Sequence, residues 1–568
     1  MKSLYMSFNQ VSLTICLCFI GFSNLFGQSQ YVPLNTSTYD VVNRLDIKYG
    51  RMIDQFHTSQ KPYTRRSIAT LSATLEKQNL RNRDLRLDFD LDYLIKDNPD
   101  WQDSLRITHG PLAKVFYTYE NAMMSAEGED FYVQANPVLD FRLGYEGGSD
   151  QKIKLVNTRG ASLRFDIKKR LGAYVYIGEN QQLMFDYINR FRDQGQRDFM
   201  VGEGYYKEYR GTGTDYFTPR GYITANALDH IDFQFGYDKH FWGNGIRSLF
   251  LSDQSNAYLF FKMQTRFWKV SYTNLFTEFI HQYNRGADRL LDKKYGAFHH
   301  LNIHATDWLD IGLFEGIVMT RSNQFELHYL TPIIFYRAVE QDLGSPDNAF
   351  IGIDYKVNFF ETAQVYGQFL LDEFNFAEIR ARNGWWANKF AIQTGVKYID
   401  AFGVPFLDLQ VEHNLARPYV YTHSTPGQTA LANYTHYNQS IAHPLGANFN
   451  ELLGIGRYRL TPQLGFELHY MWAKQGLDTA NSHWGSSLFP ETNANTVEQV
   501  YQNSTGQGDL NTIHHVRGVI RYNPWHNLYI EVDLGWRRQV SALTDNDFND
   551  FYLMGGLRWN VGRRNYIF

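Results

Sequence analysis

The stretch Ile231-Asp-Phe-Gln-Phe-Gly-Tyr-Asp238 alternates apolar and polar residues without a break. A strand points successive side chains to opposite faces, so this run carries one greasy face and one wet face. The same period of two returns in Leu464-Gly-Phe-Glu-Leu-His-Tyr-Met-Trp-Ala473 and in Leu528-Tyr-Ile-Glu-Val-Asp-Leu-Gly-Trp-Arg537. In Leu139-Asp-Phe-Arg-Leu-Gly-Tyr145 the polar face holds Asp140 and Arg142. A soluble sandwich also alternates, so the pattern needs a second argument. Large aromatics (Tyr145, Tyr237, Trp472 and Trp536) mark the segment ends, where a membrane barrel carries its interfacial girdles. The alternation also runs from residue 111 to the end without a linker, whereas a soluble chain of that size divides into domains.

Composition agrees. The 568 residues include 39 Tyr, 42 Phe and 11 Trp, and aromatics make up 16%. That excludes a disordered chain, which is poor in aromatics. With 15 Pro and no glycine period, collagen-like repeats are excluded too. The formal net charge of -4 lacks the basic excess of a nucleic-acid binder.

Residues 1–27 read as a secretory leader, with Lys2 at the positive end, an apolar run from Val11 to Phe22, and the small Gly27 before the cleavage point. Cys16 and Cys18, the two cysteines of the sequence, both lie in this leader. The mature chain is therefore expected to hold no disulfide, thiolate metal site or cysteine nucleophile. Beyond residue 28 no apolar run reaches the ~20 residues of a spanning helix. An exported, strand-rich, aromatic-rich chain of this kind is expected in the cell outer membrane.

Residues 28–110 switch to helical spacing. Val41, Val42 and Leu45 form one stripe, with Ser37 or Thr38 as N-cap. Ile68, Leu71 and Leu75 form a second, and Leu87, Leu91, Leu94 and Ile95 a third, stopped at Asn98-Pro99. The expected architecture is a signal peptide over 1–27, a small periplasmic α-helical bundle over 28–110, and a large antiparallel β-barrel over 111–568. We expect about 18 strands, closed on themselves because backbone groups cannot stay unpaired in lipid. A lumen that wide holds either water or a plug. The last segment, Phe551 to Val561, puts Phe551, Leu553, Leu557, Trp559 and Val561 on one face. Phe568 falls out of phase with that face, which predicts a bulge or an extension beyond the last strand.

Few residues offer chemistry. His299, His300 and His304 suggest a metal site, with His300 and His304 on one strand face and His299 on the other. No carboxylate stands beside them in sequence, so lumen-facing polar histidines are the plainer reading. Trp385 and Trp386, with Arg382, offer a stacking platform for sugar rings or a girdle at the bilayer edge. Lys152, Lys154, Arg159 and Arg164 offer a basic surface for acidic polysaccharide, and Lys168 to Arg170 read as a turn. The nucleophile elbow, the zinc-protease helix motif and the phosphate-binding glycine loop do not occur in the sequence. No catalytic, cofactor or metal residues are assigned.

One segment carries a family resemblance. Lys239-His-Phe-Trp-Gly-Asn-Gly-Ile-Arg-Ser-Leu-Phe-Leu-Ser252 resembles the Trp-Gly-x-Gly…Ser-Leu-x-Leu-Ser signature of Wzi-like capsule-assembly barrels. Tyr31-Val-Pro-Leu34, Asn157-Thr-Arg-Gly160, the run Phe325 to Arg337, Asp347 to Asp354 and Ala442 to Glu451 resemble its RemB branch, associated with gliding motility. The resemblance implies an 18-stranded outer-membrane barrel with a periplasmic helical bundle and no enzymatic activity. It implies a role in retaining surface polysaccharide, or in gliding motility and surface adhesin traffic with motility or secretion machinery as partners. A porin-like channel for small solutes is the alternative. Within the motif, Trp242, Gly243, Gly245, Arg247 and Ser248 are the residues to locate. Gly243 and Gly245 suit a sharp turn, and the bland role for all five is to order an inward loop.

Overall fold

The computed structural model describes residues 30–568, apart from 55, 79, 81–82, 102–119, 169, 194–198, 228–229, 282–289, 334, 424–431 and 545–546. The leader reading therefore lies outside the described residues. Eighteen antiparallel strands form a closed barrel. They are β1 (Phe131–Glu146), β2 (Ile153–Ile167), β3 (Leu171–Leu183), β4 (Gly213–Ala227), β5 (Ile231–Asp238) and β6 (Tyr258–Phe267). β7 (Val270–Ile280), β8 (Lys293–His304), β9 (Leu309–Val318), β10 (Asn348–Phe359), β11 (Ala363–Glu373) and β12 (Lys389–Tyr398) follow. β13 (Leu407–Ala416), β14 (Phe449–Arg459), β15 (Leu464–Leu477), β16 (Asp509–Trp525), β17 (Leu528–Ser541) and β18 (Phe548–Trp559) complete the ring. Each strand pairs with its successor, and β18 returns to β1, with Leu557 opposite Phe141. No helix among the described residues is long and apolar enough to cross a membrane.

The alternation read in sequence is the two-sidedness of this wall. On β1, Phe141 and Leu143 are 48% and 53% exposed, whereas Asp140, next to Phe141, is 2% exposed. Asp140 pairs inside with Arg142 at 2.7 Å. Tyr145, Tyr237, Trp472 and Trp536 alternate with buried inward residues, so all four face outward near the same rim. That rim carries the long connections, among them 184–212, 239–257, 319–347, 417–448 and 478–508. The opposite rim has short turns, such as 268–269, 360–362 and 526–527. In outer-membrane barrels short turns face the periplasm and long loops face outward.

A helical head caps the short-turn rim. It holds α1 (Ser37–Tyr49), α2 (Arg65–Glu76) and α3 (Leu85–Asp97). The N-cap of α1 is Thr36, rather than Ser37 or Thr38, because its extended backbone ends just before Ser37. Asp84 caps α3 by accepting the Arg86 and Leu87 N–H groups at 2.9 and 3.1 Å. The three predicted stripes meet in one core with Phe406, contributed by the turn after β12. Polar contacts fix the head to the barrel turns. Arg44 pairs with Asp400 and Asp408, Lys48 reaches Asp400 at 2.7 Å, and the Tyr93 hydroxyl donates to Asn527 at 2.7 Å.

The end of the chain resolves the phase problem of Phe568. The sheet stops at Trp559, and residues 560–568 turn into the lumen instead of continuing the wall. Phe568 is fully buried, 4.0 Å from the Phe191 ring. The extension, not the bulge, is the correct reading.

Candidate functional site

The motif loop after β5 folds inward and meets the head in mid-lumen. Phe241 and Trp242 form a short ribbon with Lys61 and Gln60, and the Gly243 N–H donates to the Ser59 carbonyl at 2.7 Å. The Trp242 indole lies over His300 of β8 at 5.3 Å. Gly243 holds φ at +135°, and a β-carbon there would come within 2.5 Å of the Gln368 side chain. At Gly245 a β-carbon would meet the Glu412 carboxylate at 2.5 Å, so the backbone can approach the wall only without a side chain. Arg247 binds Glu451 of β14 at 2.9 Å. The Ser248 hydroxyl accepts the Phe250 and Leu251 N–H groups at 3.1 and 3.3 Å. All five motif residues hold the loop against the head, the wall or itself.

This loop supplies an apolar layer across the barrel. Leu249, Phe250 and Leu251 are fully buried, and Phe250 stacks on Phe314 at 4.5 Å. Tyr421 and Tyr434, from the loop after β13, join it and stack at 5.5 Å. Inward side chains are buried around the whole wall, for example Asn180 on β3, Phe298 on β8, Glu412 on β13, Ala473 on β15 and Tyr552 on β18. Between this layer and the head lies a chamber of about 320 Å³ with a mixed polar and apolar lining, to which residues 560–567 contribute. Some of its cations pair with carboxylates, while Lys61, Lys239 and Lys397 reach carbonyl and amide oxygens. Arg220 meets Glu203 at 3.2 Å, and Arg563 meets Asp40 and Glu467 at 3.0 and 3.2 Å. Arg564 instead donates to Asn180 at 2.5 Å and Thr158 at 3.4 Å. These ion pairs and hydrogen bonds tie the terminal segment and the head to the wall.

The histidines split as predicted, but the absence of carboxylates is corrected. His300 pairs with Asp354 at 2.6 Å, His304 with Asp310 at 3.0 Å, and His299 lies 3.5 Å from Glu315. Asp354 comes from a strand far along the chain, whereas Asp310 follows His304 by six residues across a short turn and is open to a hairpin reading. His57 of the head lies flat on His304, with centroids 4.0 Å apart and planes 7° from parallel. His57, His304 and Asp310 could crowd around one ion by distance. Ring nitrogens donate in the ring plane, however, and two stacked rings aim their lone pairs side by side rather than at one point. The His304 nitrogens are also both engaged, by Asp310 and by the Ile53 carbonyl at 3.2 Å. The cluster is a hydrogen-bonded joint between head and wall.

On the long-loop face, Trp385 and Trp386 stand with centroids 6.3 Å apart. Trp386 is a packing residue, edge-on to Tyr419 at 5.9 Å and under the Lys389 ammonium at 5.2 Å. Arg382 is exposed, in a left-handed turn with φ 51°. The loop 478–508 clamps this segment, with the Gln502 and Asn503 N–H groups donating to the Asn383 and Gly384 carbonyls at 2.7 and 2.9 Å. That clamp places the exposed Tyr501 on the same rim, a residue the sequence reading missed because nothing local marks it. The basic cluster does not assemble. Lys154 is buried with Glu146 at 2.8 Å, Arg164 is buried, and Arg159 faces outward.

No family model matches the chain, and no curated protein does. A solved structure does: Wzi of Escherichia coli, described as an outer membrane protein involved in group 1 capsule assembly and a carbohydrate-binding β-barrel. The TM-score is 0.53 at 12% identity, over 93% of this chain and 99% of that one. This is an outer-membrane barrel. OprD of Pseudomonas aeruginosa aligns at a TM-score of 0.40 and 14% identity, over 75% of this chain and 93% of its own. OccAB2 of Acinetobacter baumannii aligns at 0.41 and 9%, over 75% and 97%. The barrel shares its fold, not a recognisable sequence, with Wzi.

Proposed function

We propose that this barrel is a non-enzymatic surface-assembly protein that holds or organises polysaccharide on the outer face of the cell. The observation that carries the reading is the filled lumen. The head closes the short-turn rim, inward loops form a buried apolar layer, and the remaining chamber is laced with ion pairs. A barrel built this way serves as a rigid platform. The porin-like alternative needs inward side chains bathed in water along the barrel height, and those named above are buried.

On this reading residues 1–27 are a removed leader, 28–110 form the periplasmic cap and 111–568 form the platform. Trp385, Arg382 and Tyr501 present rings and a cation beside the amide-rich loop 478–508, a combination suited to sugar faces and acidic groups. The likeness to a carbohydrate-binding barrel supports a glycan ligand. The motifs resembling the RemB branch add a motility or secretion partner at the same surface. Gene deletion should reduce surface polysaccharide retention or cell spreading while leaving cells viable. A glycan array on the detergent-solubilised protein should show binding, and unchanged surfaces together with an empty array would overturn the proposal.

A further inference from the structure

The loop between β9 and β10, residues 319–347, folds outward rather than into the lumen. Its buried Tyr329 and Tyr336 pack with Phe276, Ala297 and Ile317, which alternate with the inward residues of β7, β8 and β9. Tyr336 stacks on the outward His299 at 4.0 Å, and the Arg337 N–H donates to Glu315 at 3.2 Å. His299 itself stands opposite Asn274 on one side and Glu315 on the other. The loop thus covers a short polar stripe on a wall that is otherwise apolar, sparing those groups direct contact with lipid.

The path of the loop has a direction. Phe325 meets Tyr295, near the loop end of β8, at 5.8 Å. Tyr336 meets His299, four positions further along the strand, or roughly 13 Å at about 3.3 Å per residue. The helix Tyr336–Leu343 then leads back toward Asp347, which accepts the Tyr329 hydroxyl at 2.8 Å. Around the descending part the free surface is largely apolar, with Ile333 82% exposed, Phe335 72% and Leu327 69%, beside the exposed His328. On the returning helix the free surface is polar, with Arg337, Gln341 and Asp342. Polarity is graded along the barrel axis, as it is for an element lying across the boundary between headgroups and acyl chains.

We propose that this loop is a wedge inserted from the side of the barrel into the outer leaflet, its apolar tip among acyl chains and its helix at headgroup level. Continuity with the lipid-facing wall names the occupant. Leu313 and Ile351, on the strands that flank the loop, are outward and exposed, so the tip extends an apolar surface that already faces lipid. The next loop along the rim also exposes Phe374 and Phe376, and His423 bridges the two loops through Glu373 and the Pro346 carbonyl at 3.3 and 2.9 Å.

The test uses a single probe on the full chain. With Cys16 and Cys18 in the leader segment changed to Ser, Ile333→Cys accepts an environment-sensitive fluorophore, and Asn495→Cys in the exposed loop 478–508 serves as control. Heat-modifiable gel migration confirms that each labelled barrel is folded. In phosphatidylcholine vesicles the Ile333 probe should emit at shorter wavelength than the control. It should lose most of its emission to a lipid-borne quencher and little to aqueous iodide. Quenching by iodide equal to that of the control would overturn the proposal. Protection from both quenchers, with cross-linked dimers, would overturn it in favour of a second copy of the chain.

Discussion

Arg247 and Glu451 join the inward loop to the far wall of the barrel through two hydrogen bonds, of 2.9 and 3.3 Å, with both side chains buried. His443 and Asn414 complete the carboxylate at 2.8 and 3.0 Å. A residue of the inward loop thus reaches across the lumen to the opposite wall.

Arg247→Ala leaves the Glu451 carboxylate buried without its cation, which costs about 3–5 kcal/mol. Heat-modifiable gel migration should show a lower unfolding temperature. The double variant Arg247→Met, Glu451→Gln removes both charges and should recover much of the loss. Equal loss in both would mean that the pair is incidental.

Acid should loosen the head. Burial pushes the Asp400 carboxyl up, but neighbouring Arg44 and the Lys48 hydrogen bond outweigh it and hold it at about 2. Burial is likewise outweighed at Asp97 by Arg65 and His526, which keep that carboxyl below its ordinary range. Both groups take up a proton less readily in the folded protein, so their stabilisation is complete above about pH 4 and drains as the pH falls toward 2. Limited proteolysis with an acid-active protease should cut the head increasingly over that window. Asp400→Asn should be easier to cut by a neutral protease at pH 7 and should lose part of the pH dependence in acid.

Gly243→Ala tests the turn. Its φ of +135° disfavours any side chain, and the new β-carbon would press on Gln368. A loss of about 1–3 kcal/mol is expected, read as a lower unfolding temperature. Gly454→Ala, where a β-carbon meets open space, should be near neutral.

Trp385 and Trp386 should separate binding from packing. Trp385→Ala should weaken glycan binding with an unchanged unfolding temperature. Trp386→Ala breaks the contacts with Tyr419 and Lys389 and should cost about 0.5–1.5 kcal/mol. Loss of glycan binding in neither variant would move the ligand site away from this rim.

Much of the wall was legible because a two-residue period maps directly onto a two-sided sheet. Asp140, Arg142 and the outward Tyr145 and Trp536 all sit where the alternation puts them. Strand number was legible for the same reason. The lumen was not, because its contacts join residues far apart in sequence. His300 and Asp354 meet across strands, Arg247 finds Glu451 across the barrel, and His57 reaches His304 from the head. The break in phase at Phe568 did signal a departure from the wall, but only the fold shows it turning inward. Trp386 and Tyr501 exchanged significance because loop packing, which has no period, decides which ring is covered.

A filled platform and an open pore differ most directly in conductance. Purified protein, shown by heat-modifiable migration to be folded, should be inserted into planar lipid bilayers and its conductance recorded. The wild-type chain should show no stable open step. A steady, solute-passing conductance from the intact protein would contradict it.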